Sequence, residues 1–83
     1  MKSKLKKILE ENLSEEETIL LADGFESAFL GVGRQFGNPM AVYDRKKCID
    51  ILMKDMSYEE AEEYFQFNVE GAWIGEQTPI FLN

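Results

Sequence analysis

Phe25-Glu26-Ser27-Ala28-Phe29-Leu30-Gly31-Val32-Gly33-Arg34-Gln35-Phe36-Gly37-Asn38-Pro39-Met40-Ala41-Val42-Tyr43 (25–43) decides the fold, because its first part, Phe25 to Phe36, reads in two ways. Phe25, Ala28, Phe29, Val32 and Phe36 fit one helical face, and Asp23 with Glu26 has capping-box spacing. Against a helix, Gly31 and Gly33 in its interior would each cost about 1 kcal/mol. The alternation of Ala28, Leu30 and Val32 with Phe29, Gly31 and Gly33 suits a strand, one face of which admits another backbone closely. Gly37-Asn38-Pro39 is a turn signal, and Met40 to Tyr43 reads as a second strand. A ββ-hairpin is therefore expected. The Gly31-Val32-Gly33-Arg34-Gln35-Phe36-Gly37 run sits one residue off the dinucleotide fingerprint and precedes a strand, not a helix, so it reads as a hairpin turn.

Downstream, Asp44 is an N-cap for a helix over Arg45 to Lys54, with Cys48, Ile49, Leu52 and Met53 facing inward. Ser57-Tyr58-Glu59-Glu60 is a capping box opening a helix to about Val69, with Tyr58, Ala61, Phe65 and Val69 on one side and Gly71 as its stop. The short connection predicts an antiparallel αα-hairpin. Pro79 begins a terminal strand, Ile80-Phe81-Leu82. Upstream, Thr18 to Ala22 is either a helix or a buried strand, with a strand expected, and Asp23-Gly24 is a turn. Leu5, Ile8, Leu9 and Leu13 mark an amphipathic helix whose lysines crowd the wrong end of the helix dipole. That helix needs support, from docking on the domain or from a partner. The Ser14-Glu15-Glu16-Glu17 spacing is that of a further capping box.

The expected fold is α+β: a small mainly antiparallel sheet, made of the ββ-hairpin plus a C-terminal strand, with the αα-hairpin packed on one face. Residues 1–17 form the lysine-rich amphipathic helix and residues 18–83 a single α+β domain. So small a sheet leaves edges, which favour a homo-oligomer.

Composition narrows the function. The chain has 83 residues and 45% hydrophobic content, enough for one modest core. There is no histidine and one cysteine, Cys48, so Ser-His-Asp and Cys-His chemistry, internal disulfides and cysteine metal clusters are excluded for this chain. Cys48 reads as a small core hydrophobe. Lys2, Lys4, Lys6 and Lys7 place +4 on the first seven residues, so the net charge of −7 leaves −11 on residues 8–83. Such a body repels phosphates, and no nucleic-acid polymer is expected as a partner. No apolar run approaches the about 18 residues of a membrane span. The lysine-rich start lacks the apolar stretch of a signal peptide, so no membrane association and a cytoplasmic location are expected.

Asp-Gly-Phe-Glu-Ser-Ala-Phe-Leu-Gly-Val-Gly-Arg (23–34), Ala-Val-Tyr-Asp (41–44), Lys-Cys-Ile-Asp-Ile-Leu-Met (47–53), Met-Ser-Tyr-Glu-Glu-Ala (56–61) and Phe-Asn-Val-Glu-Gly-Ala-Trp-Ile-Gly-Glu-Gln-Thr-Pro-Ile-Phe (67–81) resemble a group of uncharacterised small proteins. These are encoded by bacteriophages and some bacteria. The likeness spans residues 18–82 and is most specific in the last motif. It implies a viral origin and carries no activity.

Two connections, 31–39 and 67–81, hold five of the six glycines, both prolines and the single tryptophan, which makes them the natural place for a binding surface. Arg34 is the lone basic residue between Lys7 and Arg45; it either grips an anion or neutralises Glu26 or another carboxylate. Trp73 either lids the core or offers a flat face, with Asn68 and Tyr43 as polar neighbours. Phe65, Phe67 and Phe81 read as core. Asp23, Glu26, Asp44 and Glu76 are the carboxylates from which a Mg²⁺ or Ca²⁺ site would be drawn, although capping roles account for the first three. The candidate ligand-binding set is Arg34, Tyr43, Asn68, Trp73, Glu76 and Thr78, with no catalytic residue and no cofactor. The expected function is that of a non-enzymatic binding protein that inhibits or sequesters a host component, either a host protein or a small anionic ligand such as a nucleotide. An acidic protein–protein inhibitor or polyanion mimic is one alternative, and a carboxylate-metal hydrolase another.

Overall fold

The computed structural model describes residues 2–83 other than Trp73, Ile74 and Glu76. Helix α1 (Lys2–Asn12) leads through irregular chain and a 3₁₀ turn (Glu26–Ala28) into strands β1 (Phe29–Gln35) and β2 (Asn38–Asp44). Helices α2 (Arg45–Leu52) and α3 (Tyr58–Phe65) follow. A π-helical turn (Gln66–Glu70) extends α3, and strand β3 (Ile80–Leu82) ends the chain. The sheet order is β1-β2-β3, with β1 and β2 antiparallel and β3 parallel to β2. This is the α+β architecture that the hairpin reading predicts.

The hairpin turns one residue earlier than expected. Of the expected Gly37-Asn38-Pro39 turn only Gly37 takes part, and Phe36 and Gly37 make the reversal, with φ of 52° and 81°. A two-residue turn with both φ values positive matches the twist of the flanking strands. Asn38 and Pro39 open β2, opposite Gln35 and Arg34. Left-handed backbone at a residue bearing a side chain costs roughly 1–2 kcal/mol, so Phe36 is an unusual occupant. A bulge at Leu30 also breaks the simple alternation: Phe29 pairs with Tyr43, yet Gly31 pairs with Val42. The extra residue leaves Leu30 exposed and turns Val32, opposite Ala41, to the face that carries Phe29. At Gly33 a Cβ would sit 3.2 Å from a Val42 methyl, and at Gly31 it would meet nothing within 4 Å, so a side chain and not another backbone makes the close approach.

Aromatic rings join the layers. In register across the sheet, Phe29 meets Tyr43 edge-on at 5.6 Å, and Tyr43 stacks on Phe81 at 5.6 Å. Phe81 meets Phe65 of α3 at 4.9 Å, and Phe65 meets Phe25 at 5.9 Å. Ala28, Ala41, Cys48, Ile49 and Ala61 fill the spaces between the rings. Phe67 is 75% exposed, contrary to its expected place in the core. The reason is helical geometry: residues two apart point to nearly opposite sides, and Phe65 already faces inward. Tyr58 is likewise exposed, and Met53 lies beyond the end of α2 and is exposed.

The caps form largely as read. Asp44 accepts from the Lys47 N–H at 3.2 Å, and Ser57 with Glu60 completes a reciprocal capping box. Arg45 ties the helical pair together: it contacts Glu62 at 2.7 Å and Glu70 at 2.9 Å while its guanidinium lies over the Phe65 ring at 5.3 Å. Segment 18–22 forms no strand. Its Ala22 N–H donates to the Tyr43 hydroxyl oxygen at 2.8 Å in place of a strand partner. Ser14 and Glu17 form a turn, not a helix start.

Gly71 follows the π turn with an ordinary φ of −81°, so it is no left-handed stop. It serves close approach instead: a Cβ there would lie 2.7 Å from the Gln66 carbonyl oxygen, which already accepts from the Gly71 N–H. Gly71→Ala should therefore open the π turn and lower stability by about 1–3 kcal/mol in urea unfolding. Tyr43→Phe keeps the rings but strands the Ala22 N–H, with an expected loss of about 1–3 kcal/mol in the same measurement.

Candidate functional site

The four sequence-predicted residues that are described, Arg34, Tyr43, Asn68 and Thr78, lie on four different segments. Tyr43 is fully buried at the Phe29 end of the hairpin. Burial raises its phenol pKa, and its oxygen is engaged by Ala22. Arg34 sits near the turn, opposite Pro39, four residues or about 13 Å of strand from Tyr43. The two side chains belong to different ends of the hairpin. Thr78 makes a local turn, its hydroxyl donating to the Gly75 carbonyl at 2.6 Å. Asn68 lies on the outer side of the π turn and donates to the Tyr64 carbonyl at 3.1 Å. Trp73 and Glu76 lie outside the described residues, as does Ile74.

The two glycine-bearing connections do meet, through a residue that was not singled out. The Gln77 amide donates to the Thr18 carbonyl at 2.6 Å and the Pro39 carbonyl at 3.2 Å, tying both connections to the irregular segment. A lone glutamine in a glycine-rich stretch carries no sequence signal for this role.

Arg34 neutralises a carboxylate, and the carboxylate is Glu17. Its two terminal nitrogens donate to the two Glu17 oxygens at 2.7 Å each, and Nη2 also donates to the Asn12 carbonyl at 3.0 Å. The Ser14 N–H donates to the same Glu17 carboxylate at 3.0 Å. The last turn of α1 holds no basic residue, so a guanidinium from β1 supplies the positive charge that the helix C-terminus favours. Lys4, Leu5 and Ile8 border a recess of about 260 Å³ with Phe29 and Leu30, so α1 runs alongside β1 in the same direction. A helix laid there covers an open sheet edge. An anion arriving at Arg34 would first have to displace Glu17.

Two of the four carboxylates considered for a metal are engaged locally, and Glu76 lies outside the described residues. Asp44 caps α2, and Glu26 accepts from the Gly24 N–H at 3.4 Å. Cys48 is fully buried; burial, reinforced by the nearby Asp44 charge, pushes its thiol up to about 12 and keeps it protonated at neutral pH. Among the described residues no helix is long and apolar enough to cross a membrane.

A further surface feature is on α3 and the π turn. Glu60, Glu63, Tyr64 and Phe67 fall at i, i+3, i+4 and i+7 and line one shallow groove of about 330 Å³ with Asn68. Tyr64 and Phe67 are exposed. Hydrogen bonds from Ser57 lower the Glu60 pKa, so this carboxylate is charged at neutral pH. Asn68 is the member of the predicted set that the structure places here. The stripe is visible in the sequence as helical spacing, but assigning Phe67 to the core conceals it.

Comparison with family models, with curated proteins and with solved structures returns no match.

The Arg34 hydrogen bonds, followed by that of Ser14, hold the Glu17 carboxyl down at about 2. A depressed carboxyl pKa stabilises the folded state above the ordinary carboxylate range and loses that contribution as pH falls towards 2. NMR titration should place Glu17 near 2 in the wild type and higher in Arg34→Ala, where the Ser14 N–H still lowers it. The same variant should increase amide exchange in the last turn of α1, because the Asn12 carbonyl loses its donor.

Proposed function

We propose that this protein is a non-enzymatic, phage-encoded binding protein that inhibits or sequesters a host protein by docking the acid-and-aromatic stripe of α3 against a basic surface. The observation that carries the reading is Phe67, 75% exposed beside Tyr64 and flanked by Glu60 and Glu63 on one helical face. Exposed aromatics anchor protein interfaces, and surrounding carboxylates select a cationic partner and speed encounter. The net charge of −7 adds long-range attraction of the same sign. A π turn at the end of the stripe is a further support, since such turns are frequent at functional sites. The phage origin rests on the sequence resemblance alone.

The test uses tagged protein in bacterial lysate at low salt, with wild type, Phe67→Ser and Glu60→Lys/Glu63→Lys variants side by side. The wild type should retain a basic host protein that both variants lose. Raising salt to about 0.5 M should weaken capture, because the Debye length shortens to well under 10 Å. Phe67→Ser should leave thermal stability unchanged, its ring being outside the core. Retention of the same protein by Phe67→Ser would refute the reading.

A further inference from the structure

The hairpin tip carries an exposed ring that the fold does not use. Phe36 is 94% exposed and occupies a left-handed position where Asn or Gly would be free of strain. Strained residues that contribute nothing to their own core point to use elsewhere. The chain also carries an apolar cleft of about 280 Å³ between α1 and segment 21–23, lined by Leu5, Leu21, Ala22, Asp23, Glu26 and Tyr43. A 150 Å³ apolar cavity is enough to bind benzene, so a phenyl ring fits this volume. Leu21 on its rim is exposed.

Tip and cleft lie at opposite ends of the hairpin. The turn is at residues 36–37, whereas Tyr43, which borders the cleft, pairs with Phe29 at the base. Seven residues of strand, or about 23 Å, separate Phe36 from Tyr43, so the ring cannot enter its own cleft. Two copies side by side with their hairpins antiparallel bring each tip to the other's base. This pairing is twofold symmetric and closes on itself.

We propose that Phe36 is a self-association anchor that inserts into the cleft beside Leu5, Leu21 and Tyr43 of a second copy, forming a reciprocal dimer. A phenylalanine buries about 150–250 Å². Two of them with the clefts they fill stay near or below about 1,200 Å², the low end of stable interfaces, so the dimer is a weak one. The α3 stripe takes no part, and the inference stands apart from the proposed docking on a host protein.

Sedimentation velocity on the full chain from 10 μM to 1 mM tests it. Wild type should pass from monomer to dimer, with no larger species. Phe36→Asn should raise the dimer dissociation constant at least tenfold while the melting temperature stays the same or rises, because Asn tolerates the turn. Leu21→Glu, which puts a charge on the cleft rim, should weaken the dimer to a similar degree. A monomeric wild type at 1 mM, a dimer undiminished in both variants, or growth into open chains would each overturn the proposal.

Discussion

Tyr43 joins the three strands of the sheet to the irregular segment before them, and the rest of the structure is arranged about that contact. From the centre strand its ring touches both neighbouring strands, through Phe29 and Phe81, while its hydroxyl oxygen fixes the Ala22 backbone. Phe81 passes the contact on to Phe65, and Phe65 to Phe25. A sheet this narrow cannot bury itself by area alone; a continuous run of edge-on and stacked rings gives it large contacts per residue. Small residues, Ala28, Ala41, Cys48 and Ala61, are what let the rings approach.

Around this centre the charged groups act as fasteners between segments distant in sequence. Arg45 joins the start of α2 to α3 and the π turn, and Arg34 joins β1 to the end of α1. The two differ in environment. Arg45 is mostly shielded and lies against a ring, so its pairs are only weakly screened. The Arg34 side chain is 45% exposed, so its hold on α1 is salt-sensitive. The helix with four lysines in its first turns is thus fastened at its far end by the weaker device.

The sequence made the elements legible where local chemistry acts alone. Asp44 and Ser57 with Glu60 cap the helices they were expected to cap, and the paired glycines marked a strand because a helix would have tolerated them poorly. What was hidden depends on partners far along the chain. The Leu30 bulge follows from register against β2, and the reversal at Phe36 follows from strand twist overriding residue preference. Segment 18–22 has strand-like residues but spends its Ala22 N–H on a side chain from β2. Arg34 and Tyr43 belong to different ends of one hairpin, and Phe67 was placed inside because apolar character outweighed its angular offset from Phe65.

The Gln77 amide illustrates how narrow such a constraint becomes. Both groups its nitrogen reaches, Thr18 and Pro39, present carbonyl oxygens, so that end of the side chain must supply hydrogen atoms. Hydrolysis of that amide to glutamate changes one atom and almost no volume. It would nonetheless set a negative oxygen against two others and drive apart three stretches of chain. Slow chemical ageing at this single side chain would therefore unfasten the glycine-rich connection from the hairpin while leaving the aromatic centre intact.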